Sequence, residues 1–289
     1  MKRPILIFLL GLLIPGRIFA QAMFAANEAV IWPPSRGVSP PFPLILADTP
    51  AIPALASKFQ LPVMAPDLTL STYQQHVAQQ AKDLAGYSAV TVVRAELPET
   101  SQQGEYEVQR KFAAPHSLQF TPVHFSGDGF VKSNVINRVL QSEVDHVQKD
   151  DPELTAISPA NYKFSYKGMS HVGDRLVHEY LVKPRKKRMG LFKGHVFLDA
   201  HTGTLVRAEG AVVRSPSFFV KHIEFVQDYT EVQSFTLPVH IHSEAKARIV
   251  GRTIVDIQHR DDQAVPAGSA ASVARVPSSE SSSAAKAAY

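Results

Sequence analysis

The sequence predicts an α+β fold, an antiparallel sheet covered by helices. Two amphipathic helical stripes lie in the first half, and about ten runs with strand periodicity follow or surround them, most joined by short turns. Strands linked by short turns pair antiparallel, because a parallel pair needs a crossover of a dozen or more residues. With 289 residues, 45% of them hydrophobic, the chain is long enough to bury a core unaided. It contains no cysteine. That removes disulfides, thiolate nucleophiles, zinc–thiolate sites, iron–sulfur clusters and the lipidated cysteine of a bacterial lipoprotein.

Residues 1–20 read as a secretory signal peptide. Lys2 and Arg3 precede the apolar run Ile5–Ile14, which Pro15 and Gly16 break. About ten apolar residues are too few to stay in a bilayer as a spanning helix. Ile18 with Ala20 fits cleavage after Ala20, and Ala20 with Ala22 fits cleavage after Ala22. The expected location is the periplasm or the medium. Lys2, Arg3 and Arg17 leave with the segment, so 30 Lys and Arg become 27 against 26 Asp and Glu, a formal charge of +1. A mature chain so close to neutral gives no reason to invoke nucleic acid.

Residues 21–66 form an extended arm with nine prolines between Pro33 and Pro66. Its apolar residues, Phe42, Leu44, Ile52 and Leu55 among them, give it a way to lie across the folded body. The folded domain is expected over 67–262. A first helix over 71–85 has the capping-box spacing Ser71 and Gln74, the stripe Tyr73, Val77, Ala81 and Leu84, and a stop at Gly86. Val90–Leu97 is β-branched, and Glu105–Phe112 alternates polar with mostly apolar residues, so the two read as strands around a 98–104 loop. Leu118 and Phe120 mark a short third strand. A second helix over 133–149 carries Ile136, Val139, Leu140, Val144 and Val147, with Ser133 to cap it and Pro152 beyond it.

From 161 onward the chain reads as consecutive strands, at about 161–168, 174–183, 193–199, 204–214, 218–228, 235–243 and 247–258. Asp199–Gly203 is a tight hairpin turn. Alternation places Val206, Ala208, Gly210 and Val212 on one face and Arg207, Glu209 and Arg214 on the other. The small residues on that first face leave room for something to pack over it. Residues 263–289 are rich in Ser and Ala and are expected to be disordered, since they bury too little to offset their ordering entropy.

No complete catalytic motif is present, so neither an enzyme nor a cofactor is expected. His240 and His242 share one face of a strand beside Glu244, but a metal site needs further ligands. His178-Glu179 lacks the second zincin histidine, since Val182 stands at that place. Asp145, His146 and Ser142 fall within one helix, where no nucleophile elbow forms. Phe125–Gly129 has two glycines but no phosphate-loop pattern. The sharpest charge feature is Lys183-Pro184-Arg185-Lys186-Lys187-Arg188. Arg185, Lys186, Lys187 and Arg188 are candidates for contact with an anion or membrane; otherwise the run is a solvated hairpin tip.

The second half has a recognisable cadence. Tyr162–Tyr166 is followed by Leu176–Pro184, by Gly194–Asp199 with Thr202, Gly203 and Arg207, by Phe218–Lys221, by Leu237-Pro238 and by a closing strand at Gly251-Arg252. Over about residues 85–259 this resembles the LolA-like superfamily of periplasmic lipoprotein and lipid carriers, which includes the RseB-like sensors. The resemblance implies a strongly curved antiparallel sheet, a half-barrel closed by helices, with a hydrophobic cavity for acyl chains. No binding residue of the family is carried over to a position here. Candidate wall residues are Val93, Tyr106, Val108, Phe120, Val206, Ala208 and Val212. The partners implied are a lipid or lipidated protein, with an envelope protein as the alternative if the same fold serves as an interaction or stress-sensor module.

Overall fold

The computed structural model describes residues 62–149, 152–214, 220–248 and 251–267. The expected signal peptide, nearly all of the proline-rich arm and the end of the tail lie outside these residues. From Val63 onward the described chain belongs to one compact unit.

Helix α1 (Pro66–Asp83) starts five residues before the expected boundary. Pro66 stands in its first turn, where a missing N–H costs nothing and a fixed φ favours the helix. Ser71 is therefore interior, and its hydroxyl donates to Leu68 O. The helix ends at Asp83 because Leu84 is already extended. Gly86, the expected stop, lies within strand β1 (Leu84–Leu97), paired with Ala113 and Val265. Strands β2 (Gln102–Ala113) and β3 (Ser117–Gly127) complete the first meander.

The second helical segment also starts early. Asp128 accepts a hydrogen bond from Phe130 N at 2.7 Å and caps α2 (Gly129–Val131). A π-helical turn, Lys132–Ile136, leads into α3 (Asn137–Lys149). Ser133 is interior to this segment. Of the expected stripe, Ile136, Val139, Leu140 and Val147 are buried and Val144 is partly buried, and Val135 is buried beside them.

The remaining strands are β4 (Tyr162–Val172), β5 (Arg175–Pro184), β6 (Phe192–Asp199), β7 (Leu205–Val212), β8 (Val220–Val232), β9 (Phe235–Ala247) and β10 (Gly251–Pro266). All ten form one antiparallel sheet in the order β3-β2-β1-β10-β9-β8-β7-β6-β5-β4, with β3 and β4 at its edges. Sequential hairpins account for every neighbour but one: β1 pairs with β10, from Leu84 opposite Pro266 to Glu96 opposite Ile254. That pairing carries β10 past the expected start of the tail at 263. Ala264 is buried against β1. A bulge at Asp261, whose φ is 54°, disturbs the alternation and hides this last stretch from a period-of-two reading.

One apolar cluster joins Tyr73 of α1 and Val139 and Leu140 of α3 to side chains from both halves of the sheet. A second, around Tyr87, Phe112, Leu118 and Val147, joins α3 and the β1–β3 meander to Phe235 and Leu237 of β9 and Ala264 of β10. A small third cluster, Val177, Phe197 and Val206, sits apart from both.

Candidate functional site

Val93, Tyr106, Val108 and Ala208 lie in the main core, and Phe120 and Val212 pack against it half-buried. Val206 does not join them. Leu205 pairs with Leu198 and Arg207 with Phe197, so one extra residue is accommodated between these pairs. This bulge turns Leu205 inward with Ala208 and leaves Val206 in the separate cluster with Phe197 and Val177. The expected uninterrupted alternation through Val206 is therefore broken by a single residue.

The small residues expected to leave room lie beside two large rings. Gly194 and Gly210 oppose each other across β6 and β7, with Phe192 and Phe225 at the neighbouring positions of the same face. The two rings meet edge to face, 5.0 Å between centroids. A Cβ on Gly194 would stand 1.9 Å from Glu209 O, so the two backbones pass too closely for any side chain. Ala208 itself is fully buried between Val196 and Gln227. Ala208→Trp is expected to lower stability by at least about 1–3 kcal/mol, since overpacking forces backbone and rotamers to shift. Urea denaturation checks this, and an unchanged midpoint would show that the site holds free space.

A cavity does lie under α1, lined by Tyr73, His76, Val77 and Gln80 with Thr204, Leu205, Tyr229 and Thr236. Its volume is about 30 Å³. That admits a water molecule or two, whereas a ligand pocket takes roughly 300–1,000 Å³. None of the seven wall candidates lines it. Gln80 spans its edge, donating to Thr236 O at 2.9 Å and accepting from Thr236 N at 2.8 Å.

The start of the described chain is held against β5. Met64 N donates to Ala200 O at 2.8 Å. His178, 1% exposed, meets Met64 O through Nε2 at 2.9 Å and the Tyr166 hydroxyl through Nδ1 at 3.1 Å. The carbonyl can only accept, so Nε2 donates to it. Tyr180 donates to Pro66 O at 2.6 Å. The motif-like His178 thus anchors backbone, while Glu179 pairs with His195 at 2.5 Å.

The basic run leaves the end of β5 and folds back on the 154–161 loop. Arg185 donates through its backbone N–H to Asn161 O and through Nε to Pro159 O, both at 2.7 Å. An Arg188 guanidinium nitrogen reaches Leu154 O at 3.2 Å. Lys186 and Lys187 are exposed. Among the described residues, neither has an acidic partner.

His240 and His242 share a third group that their spacing could not reveal. Asp256 of β10 accepts from His240 Nε2 at 2.6 Å and from His242 Nδ1 at 2.8 Å. Burial works against the Asp256 charge, but the two imidazole hydrogen bonds outweigh it and hold the carboxyl below the usual range. On one side Asp228 links His240 to Arg207, and on the other Glu244 links His242 to Arg252. The result is a half-exposed polar ladder across β7 to β10. No group of three or more metal-ligating side chains is set up to hold an ion among the described residues.

Among the described residues, a deeply buried charge lies outside the sequence candidates. Arg110 of β2 is 1% exposed, with its guanidinium 5.2 Å from the Tyr87 ring centre and 5.6 Å from that of Phe120. Glu143 of α3 faces it at 2.5 Å. Burial disfavours the Arg110 charge, yet Glu143 and Tyr87 outweigh that and raise its pKa. His259 of β10 lies close by, bonded to Thr91 at 2.9 Å. Its burial first, and the Arg110 charge second, push its pKa down to about 3.

Among the described residues, these features define an α+β protein built on one open antiparallel sheet, with a polar, partly basic surface. No protein-family model and no curated protein sequence matches the chain. Among solved structures it is similar to a DUF1329 family protein from Desulfovibrio piger, at 10% identity and a TM-score of 0.38 over 71% of this chain and 94% of that one. It is similar to a LolA superfamily protein from Nitrosomonas europaea, at 9% identity and a TM-score of 0.36 over 69% and 93%. MucB is a third, at 13% identity and a TM-score of 0.26 over 72% and 97%.

Proposed function

We propose that the protein is a non-enzymatic binding protein of the cell envelope that engages its partner through its surface. The observation that supports this is the close packing among the described residues: the cavity beneath α1 has about 30 Å³, and the Phe192 and Phe225 rings meet beside the Gly194–Gly210 pair. An acyl-chain carrier would have to move α1 and the Tyr73 contact before a chain entered. The envelope location rests on the signal-like residues 1–20, and the envelope protein partner on the same surface argument. We also infer that the sheet bends over its helices as a half-barrel, because one apolar cluster gathers α1, α3 and strands from β1 to β10.

Native mass spectrometry of protein purified from its own envelope tests the reading. The expected spectrum is that of the lipid-free chain, with no saturable uptake of a fluorescent fatty acid. A stoichiometric bound lipid would replace this reading with that of a carrier.

A further inference from the structure

We propose that the tip formed by the basic run and the 154–161 loop is a docking surface for an anionic phospholipid membrane. This deepens the surface-binding reading, and rests on it for the location, but does not require the core to stay closely packed. Two independent features meet at the tip. The first is charge. Lys163 and Lys183 stand directly opposite each other in the β4–β5 register, both exposed, and the chain continues from Lys183 into Arg185, Lys186, Lys187 and Arg188. Like charges in opposed positions destabilise a sheet, so the arrangement favours an external anion that relieves them. The carbonyl contacts of Arg185 and Arg188 fix the turn while leaving each guanidinium with further donors for phosphate.

The second feature is apolar. Leu154 and Met189 are 42% and 48% exposed, and Arg188 bonds the backbone of Leu154 while preceding Met189 in the chain. An acidic protein face has no need of exposed aliphatic side chains among the cations. A bilayer surface uses both, because phosphates meet the cations while apolar side chains enter the headgroup boundary, and neither signal alone gives lasting attachment.

The test uses the full mature chain with vesicles of phosphatidylcholine alone and of phosphatidylcholine containing about one third phosphatidylglycerol. Sedimentation at about 0.05 M and about 0.5 M salt reads binding. Two double variants are compared, Lys186→Gln with Lys187→Gln and Leu154→Ser with Met189→Ser, with the thermal midpoint confirming that each is folded. The wild type is expected to bind the anionic vesicles at low salt and not the neutral ones, and to lose binding at high salt. The lysine variant should bind roughly tenfold or more weakly, and the apolar variant severalfold more weakly. Equal binding to both vesicles, or none to either, overturns the proposal. If only the lysine variant weakens, the contact is electrostatic alone, and the two-signal docking surface proposed here is overturned. A bound lipid in mass spectrometry of the unexposed protein would overturn the close-packing reading and leave this result standing.

Discussion

Glu143→Ala is expected to destabilise the protein by about 3 kcal/mol or more, among the largest single-residue effects in the fold. Arg110 is 1% exposed and cannot shed its proton, so removing its carboxylate strands a charge between the Tyr87 and Phe120 rings. Glu143 keeps 17% of its side-chain surface, which lets some water in and sets the expectation toward the lower end of the range for breaking buried pairs. The loss should also loosen α3, whose Val147 packs in the same cluster as Leu118 and Phe112. The double variant Arg110→Met with Glu143→Leu should recover most of the stability, because two apolar side chains of similar volume need no compensation. Urea unfolding of the three proteins reads this directly. A loss under about 1 kcal/mol for Glu143→Ala would show that water already solvates the pair.

Acid is expected to weaken the fold through His259. A free imidazole titrates near 6.5, whereas the buried ring of His259 is pushed down to about 3. Between those values the unfolded chain holds a proton that the folded chain refuses, so stability is full above about pH 6.5 and falls as pH drops toward 3. The slope is about 1.4 kcal/mol per pH unit for one such group, or about 2 kcal/mol between pH 6.5 and 5. Asp262 acts in the opposite sense. Burial raises its carboxyl pKa more than Arg110 lowers it, so it takes its proton more readily in the folded chain and blunts the lower part of the decline. His259→Gln keeps a partner for Thr91 and should remove most of the slope between pH 7 and 5. Equal slopes in variant and wild type, measured by urea titration, would assign the acid sensitivity elsewhere.

The strands and both helical stripes were legible in the sequence, because periods of two and of about three and a half residues are local properties. So was the Asp199–Gly203 turn, where Asp199 Oδ1 accepts from His201 N and Thr202 N and Gly203 takes φ 72°. Helix starts were displaced for an equally local reason. Ser71 and Ser133 carry capping chemistry, but Pro66 and Asp128 stand earlier and open the helical segments. The two charges of the buried pair also left a trace. Arg110 falls in register with Tyr106, Val108 and Phe112, and Glu143 falls four residues from both Val139 and Val147, so each interrupts an apolar stripe.

That those two interruptions meet is a fact of the tertiary structure, since α3 must lie over β2 before the carboxylate can reach the guanidinium. The same holds for Asp256 between His240 and His242, which depends on the β9–β10 register. It holds for β1 against β10, which joins the first described strand to the last, from Leu84 opposite Pro266 to Glu96 opposite Ile254. It holds most of all for the core. Composition and alternation showed small residues on the Ala208 face, but whether their space stays open depends on which rings the neighbouring strands bring there. Phe192 and Phe225 arrive through strand pairing and a one-residue bulge removes Val206, and neither event is written in the period of any single segment. The sequence by itself therefore determined the elements and their chemistry, because those follow from local sterics and burial pattern. Only the tertiary structure decided what fills the interior and which charges face one another, because both depend on register between segments distant along the chain.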